Sequence, residues 1–292
     1  MKVSGVVVLY NPDKFILDNI KSYLQPLDKL YVVDNSPIPN NNKNIFVNNK
    51  KIEYISNDGN KGIAKALNVG AKRAIKEKCD WLLTMDQDSS FKDNSFEKMI
   101  TLLNELKSNK IMAEVLGLQY KKLGVLSSIQ RTEINKEDNL EGISYPLVVM
   151  TSGNLINLEA YKKVGGFKDD FFIDCVDFEF CLNLKKNGYE VVQMNTAELN
   201  HNLGNTQEKN LFGKKMFVTN HNAIRRYYIT RNRHYLYDMY KDEFLDYCSL
   251  ELGRTKKELV KIILFEKDKL NKIRKIYRGY KDYKKGITGE FK

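Results

Sequence analysis

Two aspartates one residue apart, Asp86-Gln87-Asp88, close the apolar run Trp81-Leu82-Leu83-Thr84-Met85. Carboxylates placed at the end of a buried strand can point into one crevice. Hard oxygen ligands of this kind hold Mg²⁺ or Mn²⁺, with a substrate diphosphate completing the shell. An Asp-x-Asp alone arises often by chance, and its place at a strand end gives it weight. Farther along, the run from Phe171 to Leu182 sets Asp174, Asp177 and Glu179 among bulky apolar residues. Such neighbours lower the local dielectric and raise a carboxylate's pKa, which suits a general base. Asp177 could equally be a helix cap, and Glu179 a first-turn residue answering the helix dipole. His201, one of three histidines, stands in the polar run Asn200-His201-Asn202-Leu203-Gly204 without periodicity. It is either a bystander or, beside a metal, a ligand.

These residues need a scaffold. Short apolar runs over 3–10, 30–34, 52–56 and 81–85 predict strands, and the patterns over 14–24 and 61–78 predict helices. Strands separated by helices of that length make βαβ units and a mostly parallel sheet. In such sheets ligands bind beyond the carboxyl ends of the strands. Those ends carry Tyr10-Asn11-Pro12, Asp34-Asn35-Ser36, Asn57-Asp58-Gly59-Asn60 and Asp86-Gln87-Asp88-Ser89. Asp and Asn are also good turn formers, so no single end is telling, but four polar ends together are. Asn60 and Lys61 open the helix over 61–78, whose first amides can face an anion. Its small residues Ala64, Ala66 and Gly70 read as close packing. Beyond Asp88 the pattern predicts a helix over 95–107, β-like segments over 115–119, 124–128 and 145–150, and helices over 158–164 and 176–186.

The 292 residues suffice for one large α/β domain with an appendage, and a 42% hydrophobic, 29% charged composition excludes a disordered chain. No apolar run reaches the roughly 18 residues of a membrane span. The opening run is too short for a signal peptide and reads as a strand. Four cysteines lack metal-site spacing and read as free thiols of a reducing cytoplasm. The formal charge of +11 is unevenly spread: residues 206–292 hold 22 basic and 11 acidic side chains, while residues 1–205 balance. That asymmetry predicts a neutral catalytic body, placed at 1–215, and a basic helical region, placed at 216–292, facing something anionic. Within 258–277, Leu259, Ile262, Ile263, Leu270, Ile273 and Tyr277 fall at helical spacing. This face either docks on the body or lies on anionic lipid.

The ordered runs Val7–Pro12, Val32–Ser36, Asn57–Gly70, Met85–Ser89, Thr151–Asn154, Phe171–Glu179, His201–Gly204 and Arg226–Asn232 resemble family 2 inverting glycosyltransferases of the GT-A fold, and within them bacterial rhamnosyltransferases of polysaccharide synthesis. The resemblance covers nearly the whole chain. It implies that the backbone of Leu9, Tyr10 and Asn11 lines a nucleotide pocket and that Asp34 contacts the base or ribose. Asp86 then holds ribose or metal, Asp88 binds a Mg²⁺ or Mn²⁺ bridging the donor phosphates, and His201 completes that site. Ser152, Gly153 and Asn154 form a floor near the acceptor, with Asp174 and Glu179 beside it, and Asp177 is the base. Many members carry Glu-Asp where this chain has Val176-Asp177. The resemblance also implies a dTDP-rhamnose donor, a glycan or lipid-linked acceptor, and a cytoplasmic enzyme peripheral on the inner face of the membrane. The rival donors are UDP-hexoses for a galactosyl-, glucosyl- or galactofuranosyltransferase. A rival of another class is a basic nucleic-acid-binding protein, which needs neither Asp86 nor Asp88.

Overall fold

The computed structural model describes residues 1–13, 15–37, 43, 46, 49–108, 117–131, 142–201, 207–211 and 214–292. The chain forms two compact units, Met1–Lys168 with Asp177–Asn202, and Asp169–Val176 with Leu203–Lys292.

In the first unit, β1 (Val3–Leu9) is buried at every position, as a parallel strand covered on both faces must be. It is followed by α1 (Ile16–Leu24), β2 (Lys29–Asp34), β3 (Ile52–Ser56), α2 (Ile63–Lys76) and β4 (Trp81–Asp86). β1 pairs in parallel with β2 and β4, and β2 with β3. Leu9 is level with Asp34, Asp34 with Ser56, and Val8 with Asp86, so all four carboxyl ends reach one edge. The buried stripe of α2 includes Ala64, Ala66, Gly70, Ala71 and Ala74. At Gly70 an added Cβ would collide with the Val6 side chain, so these small residues serve close helix–sheet packing.

Next come β5 (Ser89–Phe91), α3 (Ser95–Ser108), β6 (Leu123–Arg131), β7 (Ile143–Ser144), β8 (Asn154–Asn157), α4 (Leu158–Val164), α5 (Val176–Lys186) and β9 (Glu190–His201). The sheet order is β3-β2-β1-β4-β8-β6-β9-β5, with β7 paired to β9. It is parallel through the first four strands and mixed beyond them. The fold is thus α/β with flanking helices, as expected.

Three segments differ from the sequence pattern. Strand pairing stops at Ser144, so 145–150 is irregular. Residues 115 and 116 lie outside the described residues, and 117–119 is not strand. His201 ends a strand of 12 residues instead of lying in a loop. There, Asn195, Ala197 and Leu199 face inward while Thr196 and Asn200 are exposed. This is the period of two of a half-covered strand, hidden by its polar residues.

In the second unit, β10 (Gln207–Leu211) and β11 (Lys214–Val218) pair as an antiparallel ribbon. α6 (Ala223–Phe265) kinks at Phe244, and α7 (Lys269–Lys284) follows. Asn222 caps α6 by accepting from the Arg225 N–H at 2.8 Å. The chain breaks between the helices, with Asp268 left-handed at φ 56. The apolar spacing over 258–277 is therefore not one helical face. Ile262 and Ile276 are buried, while Ile263, Leu270 and Tyr277 are 52%, 72% and 60% exposed. Buried charges need partners. Here Glu266 takes Arg226 at 2.6 Å and Lys272 at 2.7 Å, and Glu258 takes Arg233 at 2.9 Å. Cys79, Cys175, Cys181 and Cys248 are free and buried.

Candidate active site

The strand-end residues of the first unit are tied to one another. Asp34 is buried at the end of β2. Its Oδ1 accepts the Ser36 N–H at 2.9 Å and its Oδ2 the Tyr54 hydroxyl at 2.6 Å. Burial, and next the bond to Asp34, raise the Tyr54 hydroxyl above its ordinary pKa. Ser36 Oγ then accepts the N–H of Asn11, whose φ is 46. Asn35 crosslinks the next loop. Its Oδ1 accepts from Asn57 Nδ2 at 3.2 Å and the Lys61 N–H at 2.9 Å, and its Nδ2 donates to Asn60 Oδ1 at 2.9 Å. Asn60 Oδ1 also accepts the Gly62 N–H at 3.0 Å. Asn60 and Lys61 are thus held beside β2, just ahead of α2.

The Asp86–Asp88 turn is anchored from two sides. Gln87 bonds both main-chain groups of Tyr10, and its carbonyl accepts from Asn19 Nδ2 at 2.9 Å. On the other side, the Asp86 N–H donates to Ser152 Oγ at 3.0 Å. Gly153 donates its N–H to the Thr84 carbonyl at 2.9 Å. It has φ 81, and a Cβ there would strike Ser128 Oγ, so only glycine fits. Asn154 donates to the Met150 carbonyl at 2.7 Å. Ser152 and Asn154 are buried, so they shape the floor under Asp86 through main-chain bonds.

Asp88 lies at the surface beside a cavity of about 270 Å³, lined also by Asp13, Phe15, Asp18, Asn19, Ser90 and Asn200. Pairing of β5 with β9 sets His201 opposite Ser89, the residue after Asp88. The His201 side chain lies outside the described residues. Among the described residues, no group of three or more His, Cys, Asp or Glu forms a closed metal site. An oxygen-rich, open-sided donor set still fits Mg²⁺ or Mn²⁺, which keep several waters and draw on substrate phosphates.

Asp177 and Glu179 occupy the first turn of α5, where the helix dipole favours negative charge. Asp177 is half-buried and its Oδ1 accepts the Phe178 N–H at 3.0 Å, whereas Glu179 is buried. Asp174 belongs to the second unit, where Arg225 Nε donates to its Oδ1 at 3.1 Å. Burial raises its carboxyl above the usual range, and the adjacent Arg225 opposes that shift. Gln87, Asn35 and Asn57 stood among the polar strand ends without a role of their own, and Tyr54 stood within a strand. For the two asparagines a signal existed: Asn35, Asn57 and Asn60 recur just past adjacent strand ends.

Residues 4–131 match the family model Glycosyl transferase family 2. Over 241 residues the chain is 26% identical to dTDP-rhamnosyl transferase RfbF of Shigella flexneri, covering 79% of this chain and 78% of that protein. Among solved structures, S. aureus TarS 1-349 in complex with UDP-GlcNAc aligns with a TM-score of 0.60 at 14% identity, over 98% of this chain and 82% of that one. GalNAc-T7 with UDP, GalNAc and Mn2+ aligns with a TM-score of 0.58 at 12% identity, over 85% of this chain. The chain spans 49% of GalNAc-T7 and 49% of a longer TarS chain. At these identities the structural likeness shows a shared fold. Residues 4–131, which hold the four polar strand ends drawn to one edge of the sheet, are thus similar to glycosyl transferase family 2.

Proposed function

We propose that this protein is a metal-dependent inverting glycosyltransferase that moves L-rhamnose from dTDP-rhamnose onto an acceptor hydroxyl in cell-surface polysaccharide synthesis. The observation that carries the reading is the convergence of Asp34, Asp86 and Asp88 at the ends of neighbouring strands in a family 2 domain. The likeness to a dTDP-rhamnosyl transferase supports the donor.

In this reading the main chain of Leu9, Tyr10 and Asn11 lines the nucleotide pocket. Asp34, at the carboxyl end of β2, contacts the base or ribose. Asn60 and Lys61, held beside β2 ahead of α2, complete the nucleotide pocket. Asp86 and Asp88, with His201, would hold Mg²⁺ or Mn²⁺, which offsets negative charge on the departing nucleoside diphosphate. Ser152, Gly153 and Asn154 form the acceptor floor by shape, with Glu179 as a further acceptor-binding residue of the same unit. Asp177 takes the proton from the acceptor hydroxyl. That oxygen forms its bond to the anomeric carbon on the face opposite the diphosphate. The bond to the phosphate oxygen breaks and its electron pair leaves with dTDP. A single displacement through an oxocarbenium-like state inverts the centre and needs no enzyme nucleophile.

A UDP-sugar donor is the second reading, favoured by the likeness to TarS with UDP-GlcNAc. Thermal unfolding separates the two, because a ligand that binds only the native state raises its stability. dTDP-rhamnose is expected to raise Tm more than UDP-galactose or UDP-glucose, and the reverse order rejects the rhamnosyl donor.

The acceptor is a glycan or lipid-linked glycan, and the basic second unit supports work at an anionic membrane surface. No helix among the described residues is long and apolar enough to cross a membrane. Ile263, Leu270 and Tyr277 are nevertheless exposed amid Lys256, Lys257, Lys267, Lys269 and Arg274. Exposed apolar side chains with exposed lysine and arginine near them in sequence suit a helix end lying on acidic lipid.

A further inference from the structure

The segment leading into α5 has a strained shape. Phe172, Asp174 and Cys175 are all left-handed, with φ of 64, 63 and 61. Residues other than glycine and asparagine rarely hold this conformation unless their surroundings force it. Here the surroundings are two neighbouring side chains of α6, both fully buried.

Asn232 Nδ2 reaches three main-chain carbonyls, those of Phe171 at 2.8 Å, Ile173 at 2.8 Å and Asp174 at 3.0 Å, so that its two hydrogens are shared among them. Arg231 Nη2 donates to the carbonyls of Asp170 and Phe171, each at 3.2 Å. Arg231 Nε donates to Asn232 Oδ1 at 3.0 Å, which fixes the amide so that its NH₂ faces the carbonyls. The other end of the guanidinium, Nη1, donates to the Gly289 carbonyl at 2.7 Å, and the Gly289 N–H returns to the Asp170 carbonyl at 2.7 Å. Phe172 stacks on Tyr228 with ring centroids 5.2 Å apart, and Arg225 holds Asp174. Carbonyls of a left-handed run diverge from any regular ladder, so donors must come from side chains. A planar guanidinium and a primary amide supply several donors in fixed directions.

Asp177 follows Cys175 by two residues. We propose that Arg231 and Asn232 are positioning residues for the base: by locking 170–175 they fix the course of the chain that leads into α5, as far as two residues before Asp177. This rests on the reading of Asp177 as the base. Neither residue touches the reacting atoms in this account. Their leverage is geometric, since a misplacement of about 1 Å can cost on the order of 10²-fold in rate.

A double-mutant cycle tests it. Asn232→Asp is nearly isosteric, removes the donor and turns an oxygen on the carbonyls. Made alone, it should lower kcat by about tenfold or more while donor KM stays within about twofold, the pattern of a loss confined to the transition state. Made in the Asp177→Asn background, it should cost less than about twofold, because the clamp then has no base to place. Equal fold losses in both backgrounds, an unchanged kcat, or a loss confined to KM overturns the proposal. Arg231→Lys, which keeps the charge and loses the fork, carries the same cycle if the Asn232→Asp chain does not fold. Failure of both to fold makes the pair structural and overturns it too. Should Asp177→Asn alone keep full turnover, it is the base assignment that has failed, a result read independently of the clamp variants.

Discussion

Gln87 holds Tyr10 by both of its main-chain polar groups: its Oε1 accepts the Tyr10 N–H at 2.8 Å and its Nε2 donates to the Tyr10 carbonyl at 3.1 Å. The middle residue of Asp86-Gln87-Asp88 therefore joins the metal-binding candidates to the segment proposed to line the nucleotide. A carboxamide does this because it donates and accepts at once. Gln87→Glu keeps the shape but cannot donate and sets a carboxylate against a carbonyl. Donor binding, measured by calorimetry with dTDP, should weaken by about tenfold, equivalent to about 1.4 kcal/mol. An unchanged Kd shows that this link does not shape the nucleotide pocket.

The metal assignment stands on Asp88 and its cavity with Asp13 and Asp18. Transfer should require Mg²⁺ or Mn²⁺ and stop in excess chelator. Asp88 is exposed, so Asp88→Ala should abolish turnover while leaving thermal unfolding within about 0.5 kcal/mol of the parent, as surface substitutions do. Full activity in chelator sinks the assignment.

How much of this was legible in the sequence depends on what each residue faces. β1 to β4 could be read because a strand buried on both faces is an unbroken apolar run, and the polar residues after it stand out. β9 could not, because its outward positions carry Thr196, Glu198 and Asn200. Its partners are distant in sequence, so local pattern says little. The aspartates were visible, but not the bonds that orient them. Ser36 and Tyr54 on Asp34, or Ser152 under Asp86, depend on which loops meet. The apolar spacing over 258–277 misled because the break before Asp268 resets the helical phase.

The proposed membrane surface rests on the exposed apolar positions beside that break. The protein should bind vesicles containing anionic lipid and leave them as salt rises, since each lysine or arginine near the surface contributes about 1 kcal/mol that screening removes. Leu270→Ser should weaken binding further at every salt concentration by removing apolar insertion. Equal binding to neutral vesicles, or none to either, contradicts a charge-led membrane surface.

The most direct test of the whole account measures turnover and donor affinity together in Asp177→Asn. Asparagine is nearly isosteric with aspartate and can still accept the Phe178 N–H that Asp177 Oδ1 accepts at 3.0 Å, but it is not a base. With dTDP-rhamnose, Mg²⁺ and acceptor present, release of dTDP should fall by on the order of 10²–10⁴-fold, the usual cost of losing general-base assistance. Binding of dTDP-rhamnose should be unchanged, because the proposed donor ligands are Asp34, Asp86, Asp88 and the metal. Turnover within a small factor of the parent protein, above all if Glu179→Gln abolishes it instead, would contradict the assignment of the base and the direction of attack derived from it.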